Sequence, residues 1–541
     1  MKRLLVLTAL VSIAAFVAAT AGSAAAKGTN RCVGGPKCFA TIQAALDASA
    51  DGDTITVARG IFAGGITITK SVTLRGSGAG ATTIKGGGPV LTIGTLFAQT
   101  EPTVSIDGVT ITGGVTTSSP ESVPFTGAAG AYAAGGGIDV PPSADFELGA
   151  TVTITNSVIT GNKVAPTQTV VSPDNPACPS GPCTFAGATG GGINTWGALT
   201  LANSVVSSNM VGGVASDADG GGISSQLGDL VISNSRITGN QAVASVPNGR
   251  FAEGGAILVE YGSLSVKNSV VDGNSASLTT NYGVHAFDGS VVDMNANSGG
   301  IHLSHPTQTT LQNVAITNNS ATTVDPNGEA LAFDGALLVN DGPLTMSNAV
   351  ITGNRVTETV ATTDDVGPGG TAVEVDGGGS ITNTLIDGNS ASASSDGGDV
   401  SATAGLAVYN FSDHDPLLLT VSRTVISRNT ASATSKTGSA SVFGAGIFNN
   451  SLLALQNVVV TDNVGKATGP SGTLQGAGIW NGVFLSGPPV QLSLDHTSVV
   501  HNQLVGGSGM TVQGGGVFTS EPITQSHSTI AGNSPDQCSG C

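Results

Sequence analysis

Glu374 and Asp376 stand two residues apart, and Asp413-His414-Asp415 follows one repeat unit later. On a strand, residues i and i+2 share a face, so Glu374 and Asp376 project together, and adjacent strands would bring all five groups within reach of one another. Such a cluster could supply the several oxygen ligands that Ca²⁺ takes, or the acid and base of glycosidic cleavage. The plainer reading is that Asp here does ordinary turn chemistry. His496 and His527 hold equivalent places in successive repeats, where two imidazoles could stack. Zinc asks for three or four ligands, and no third partner is evident from the sequence, so the histidines are expected to be structural or solvent-exposed.

A second constellation is aromatic. Residues that follow an inward Ile or Val should point outward. That column reads Asp139, Asn194, Ser224, Leu258, His302, Leu338, Glu374, Tyr409, Phe448, Trp480 and Phe518. Its last four members are aromatic, in a chain with only 4 % aromatic residues. If exposed, Tyr409, Phe448, Trp480 and Phe518 form a stripe that could stack on the rings of a glycan. The alternative is an aromatic stack shielded by loops and stabilising the sheet.

These residues are positioned by a phrase that returns eleven times. Ile154 to Asn162, Ile-Thr-Asn-Ser-Val-Ile-Thr-Gly-Asn, recurs at intervals of 31 to 47 residues through 525–533. Its sixth place is β-branched, read as Ile159, Val206, Ile237, Val271, Ile316, Ile351, Ile386, Ile426, Val460, Val500 and Ile530. Its ninth place is always Asn, and its third is Asn in eight repeats. A fixed period of this kind marks a stacked repeat architecture. Each unit offers three short strands: Gly-x-Gly/Ala-Ile/Val, an alternating segment such as Val152-Thr-Ile154, and the Ile/Val column. Three strands with tight turns make one triangular coil, and thirteen or so coils make a rod roughly 60 Å long at the inter-strand spacing of about 4.8 Å. Asn tolerates left-handed turns and, stacked in register, can hydrogen-bond along the rod. The variable stretches, longest at 163–189 and 275–297, are expected to project as loops. Ahead of the strands, Thr41–Ala50 reads as a helix with Ile42, Ala45 and Leu46 on one face, suited to covering the first coil.

Composition narrows the function. The formal charge is −18, and Lys plus Arg number 18 in 541 residues. This leaves no electrostatic grip on nucleic acid or anionic lipid and disfavours uronic-acid polymers unless a metal ion bridges them. Residues 1–26 read as a secretory signal, with Lys2-Arg3, an apolar run and Ala24-Ala25-Ala26; no later stretch is apolar enough to span a bilayer. Cys32/Cys38, Cys178/Cys183 and Cys538/Cys541 fall in close pairs. Six cysteines leave fifteen pairings open, and local disulfides in an exported chain are the expectation.

The opening Thr41-Ile-Gln-Ala-Ala-Leu, Gly52-Asp-Thr-Ile-Thr-Val and Leu74-Arg-Gly resembles the N-terminal cap of secreted members of the pectin-lyase-like superfamily. The Gly-Gly-Gly-Ile and Asn-Ser-x-Ile-Thr-Gly-Asn phrases resemble repeats of bacterial surface proteins, including chlamydial polymorphic membrane proteins. The resemblance implies an all-β, right-handed parallel β-helix with an N-terminal capping helix. It covers nearly the whole mature chain and says little of activity, because the fold hosts lyases, hydrolases, esterases and adhesins. No catalytic residue carries over: basic residues that could serve a lyase are sparse (Arg236, Lys267, Arg355, Arg423, Arg428), and the polygalacturonase set of Asn-Thr-Asp, Asp-Asp and Gly-His-Gly is not found.

The resulting expectation has three parts: a signal peptide at 1–26, a cap and first coils at 27–103, and β-helix repeats at 104–541. Function is read as secreted or cell-surface, structural or adhesive rather than catalytic, in a monomer needing no cofactor unless Ca²⁺. The partners expected are an extracellular polysaccharide, met through Tyr409, Phe448, Trp480 and Phe518, or a surface protein. The alternative is a polysaccharide lyase or glycoside hydrolase acting through Glu374, Asp376, Asp413 and Asp415.

Overall fold

The computed structural model describes residues 28–119, 131–172, 183–245, 250–280, 286–287, 290–291, 294–325, 331–360, 368–409, 417–484 and 489–541. Within them the chain winds as a right-handed parallel β-helix. The first coils are triangular, as expected. Thr54–Val57, Gly60–Ala63 and Ile66–Ile68 are followed by Thr73–Arg75, Thr82–Lys85 and Leu91–Ile93, each pairing in parallel with its counterpart one turn on. The longest sheet has fifteen strands, so at about 4.8 Å per strand the stack is roughly 67 Å long.

From Val115 onward the coil is larger than the sequence suggested. After sheet 1 (as at Leu199–Ala202) and sheet 2 (Val205–Ser207), the chain enters a further parallel ladder, sheet 3 (Met210–Val211). It returns along sheet 4 (Asp217–Asp219) before reaching sheet 5 (Ile223–Gln226). Sheet 4 runs in two lengths, of six and five strands. The stretches expected as loops therefore begin and end as ladders, and sheets 3 and 4 pack on each other as a fin beside the main coil. Ala218, Ala252 and Ala296 of sheet 4 cluster with Val211, Ala242, Ala276 and Ala321 of sheet 3, and Ala332 with Val356, all buried. Alternating Ala and Ser gives almost no hydrophobic run, which is why these strands read as loops; small side chains instead let two sheets approach closely.

The return from sheet 4 to sheet 5 requires glycine. Gly220 sits at φ +61, and an added Cβ would lie 2.5 Å from the carbonyl oxygen of Ile223. The same position is Gly190, Gly254, Gly444, Gly476 and Gly514, all left-handed.

One continuous apolar core runs from Val33 to Val517 through the main coil. The Ile/Val column lies in it, Ile159 to Val460 being fully buried. At the far end the reading needs correction: Val499, paired with Val460 and Ile530, takes the inward place, and Val500 points outward. Ile530, on the last coil, is only partly covered. At the other end Ile42–Asp47 forms a helix capped by Thr41, whose side chain accepts from the Ala44 N–H, with Ile42, Ala45 and Leu46 buried.

The two Asn columns divide the work assigned to both. Third-place residues such as Asn156, Asn203 and Asn234 take left-handed φ and face solvent. The ninth-place residues are buried and form a continuous amide ladder. Asn209 Nδ2 donates to Asn240 Oδ1 at 3.0 Å and to the Ile159 carbonyl at 3.0 Å, while Asn240 Oδ1 also accepts the Asn209 backbone N–H at 3.0 Å. This pattern repeats to Asn533, whose backbone N–H donates to Gln537 Oε1.

Candidate functional site

The outward face of sheet 5 is not open. The fin stands against it, and the residues placed there by sequence are enclosed between sheets 4 and 5. Phe448 is fully buried, Tyr409 and Trp480 are each 5 % exposed, and Phe518 is partly covered. The exposed stripe is thus corrected to a buried stack. Phe448 and Trp480 lie parallel with centroids 4.5 Å apart, and Phe443 of sheet 4 meets Trp480 edge-on at 5.9 Å. Trp480 Nε1 donates to Gln475 Oε1, at the end of a sheet 4 strand. Register also shifts one member. Ala407 pairs with Glu374 and Phe448, whereas Tyr409 pairs with Asp376, two places further on.

Farther along the same cleft the contents are polar. Tyr132 Oη meets Thr189 Oγ1, which donates to Asn194 Oδ1, and Asn194 Nδ2 donates to Asp139 Oδ1, one hydrogen-bonded chain. Next, Glu253 of sheet 4 faces His302 of sheet 5 at 3.4 Å and accepts from Asn297 Nδ2. Burial opposes ionisation of Glu253, but the charge and hydrogen bond of His302 prevail and hold its carboxyl low. Asp217 on the same sheet is pushed up to about 6, chiefly by burial. Beyond it, Glu374 and Asp376 do share a face, with Asp334 as an unforeseen third carboxyl. Burial first, then repulsion from Asp334 and Asp376, raises Glu374 well above the usual range. Asp334 is raised by burial against a hydrogen bond from Thr371. Asp413 and Asp415 lie outside the described residues. Glu374 is near enough to both Asp334 and Asp376 to be repelled by them, but the three are buried beneath the fin rather than set in a groove.

A different surface stands open. Where sheet 5 turns into sheet 1, successive coils place Phe97, Phe146, Trp196, Leu227, Tyr261 and His305 at one corner. Backbone bonds fix the stacking: the Phe97 N–H donates to Pro142 O, the Leu227 N–H to Glu260 O, and the Tyr261 N–H to Ser304 O. Phe97 and Phe146 meet edge-on at 4.9 Å, Phe146 and Trp196 lie 6.3 Å apart, and Tyr261 stacks on His305 at 5.2 Å. Tyr261 is 56 % exposed. Phe97, Gln99, Ala144 and Phe146 rim an open depression of about 520 Å³, and Phe146, Glu147, Leu148 and Leu227 a second of about 380 Å³.

The backbone of this corner is unusual. Phe97, Phe146, Leu227, Tyr261 and His305 have φ of +59, +59, +64, +59 and +50°. Left-handed backbone costs an L-residue roughly 1–2 kcal/mol, and bulky side chains rarely take it. Gly or Asn, which this chain uses at many of its other corners, would relieve that strain, although Arg423, Arg428 and His501 also hold left-handed backbone. Sequence reasoning missed the corner, though a signal exists: Trp196, Leu227 and Tyr261 each precede a Gly, three or four residues after the inward Ile.

Two disulfides, Cys32–Cys38 and Cys538–Cys541, match the local pairing expected; the Cys178–Cys183 expectation involves residues outside those described. Among the described residues no helix is long and apolar enough to cross a membrane.

Fold and surface together define a right-handed parallel β-helix with an enclosed polar-aromatic cleft and an open aromatic corner. Among solved structures, the chain is similar to a family 28 exopolygalacturonase from Yersinia enterocolitica. The two share 10 % identity over 92 % of this chain and 75 % of that one, with a TM-score of 0.26. No residue role transfers through a likeness of that size. No protein-family model matches the chain, and no curated protein is similar to it in sequence.

Proposed function

We propose that this chain is a non-catalytic extracellular rod that holds a neutral polysaccharide along the corner from Phe97 to His305. One observation carries the reading: five large side chains occupy left-handed backbone at exposed positions where Gly or Asn would be more stable. Strain retained by a run of large side chains at one solvent-facing corner supports a ligand contact there. Six coils at about 4.8 Å set five rings and Leu227 along roughly 24 Å, a length that suits an extended chain rather than a compact ligand. The net charge of −18 selects against acidic polymers. Two local disulfides accord with an oxidising compartment. The enzymatic alternative finds less support, since Glu374 and Asp376, 6 % and 1 % exposed, face the fin rather than a cleft that could admit a sugar ring.

Affinity electrophoresis through gels containing neutral glucans, mannans or xylans tests the proposal. At least one neutral polymer should retard the protein, and polygalacturonate should not. Tyr261→Asn suits the left-handed site and should retain the fold while weakening retardation by about tenfold, the loss of one stacking contact of roughly 1.4 kcal/mol. Equal mobility of the wild type with every neutral polymer, or equal retardation of the variant, would refute the proposal.

A further inference from the structure

The third-place column is Asn in eight repeats, but in the last two coils it becomes His496 and His527. Both keep the left-handed turn, with φ +49°. Their rings stack at 4.7 Å with a 17° interplanar angle, both exposed to solvent. Each ring is fixed at Nδ1 by the residue before it: Asp495 Oδ1 lies 2.9 Å from His496 Nδ1, and Ser526 Oγ lies 2.8 Å from His527 Nδ1. One ligand atom from each of Asp495, His496 and His527 lies within 4.8 Å of the other two. Asp495 is the third partner that the sequence did not reveal.

We infer that Asp495, His496 and His527 form a surface site for a divalent late-transition ion, with Zn²⁺ the best match. Two imidazoles and a carboxylate are a donor set that Zn²⁺ takes, with water completing the shell. Zinc bonds of about 2.0–2.2 Å put neighbouring ligand atoms about 3.3 Å apart, so modest side-chain rotations close the present spacing. The Ser526 hydroxyl at His527 Nδ1 fixes that imidazole's orientation, the usual support of a metal-binding histidine. The site joins the final strand of sheet 1, Ile523–Ser526, to the strand before it, Gln491–Asp495. An ion there staples the terminal coil, where Ile530 is only partly covered, to the body of the rod.

Calorimetric titration of the full chain with Zn²⁺ tests this, together with the resistance of residues 520–541 to a protease. The double variant His496→Asn/His527→Asn restores the repeat's own residue and should keep the wild-type circular dichroism. Wild type should bind one equivalent that the double variant lacks, and Zn²⁺ should protect the terminal coil only in wild type. Asp495→Asn should weaken binding about tenfold, which gives a second readout should the double variant fold poorly. Absence of a zinc-binding equivalent in wild type, or an undiminished one in both variants, overturns the site.

Discussion

At the level of single residues, two positions in one repeat phrase do opposite work, and their substitutions should differ accordingly. Asn354 Oδ1 accepts the Asn319 backbone N–H, and its Nδ2 donates to the Ile316 carbonyl. Asn354→Ala removes the acceptor of the buried Asn319 backbone N–H, at a cost of about 1–3 kcal/mol. Asn348, exposed at φ +53°, should accept Gly with a change within about 0.5 kcal/mol. Denaturant melts of the two variants will separate the roles; equal costs would mean that the ladder adds nothing. Ile351→Ala, at the centre of the fully buried column, should cost about 2–5 kcal/mol. The β-branched and Asn columns were legible because burial and amide stacking demand one residue type in every coil. The left-handed corner was not, since Phe97, Phe146, Leu227, Tyr261 and His305 share a backbone angle rather than a residue type.

At the level of elements, the fin decides what the cleft can do. Its strands were unreadable because Ala-Ser alternation such as Ser390–Ser395 carries little hydrophobic contrast, and the pairing that makes them strands comes only from the coil above. Once in place they cover Glu374, Trp480 and their neighbours, so an exposed-stripe reading failed on one unseen sheet. The fin also carries Glu358, whose carboxyl burial pushes up to about 8 against a hydrogen bond from the Ala332 backbone. For such a group the folded state holds a proton that the unfolded state has released. Stability therefore falls as pH rises from about 4 to about 8, by up to roughly 1.4 kcal/mol per unit for each group. Asp217, Asp219, Asp334 and Glu374 act in the same direction. Asp272 and Asp387, held low, oppose it only below about pH 4. Thermal midpoints should thus be highest on the acidic side, and Glu358→Gln should flatten the fall between pH 5 and pH 8. A midpoint that rises steadily across that window would contradict the buried-acid description.

The whole molecule is a rod whose apolar core is uniform from coil to coil and whose surface is not. Composition and repeat spacing made the rod plain, because one apolar core shared by every coil imposes one pattern on the chain. They could not show which face is open, since that depends on where sheets 3 and 4 fold back. The central claim is that the corner from Phe97 to His305, and not the stack around Trp480, meets the ligand. The chain has two tryptophans, one in each place: Trp196 half-buried at the corner and Trp480 enclosed. Titration of neutral oligosaccharides against intrinsic fluorescence, in Trp480→Phe and in Trp196→Phe, reads the two sites separately. Trp480→Phe, reporting Trp196 alone, should show a saturable change on ligand addition. Trp196→Phe should show blue-shifted emission that neither ligand nor an aqueous quencher alters. A ligand-dependent change seen through Trp480 and absent from Trp196 would contradict the account.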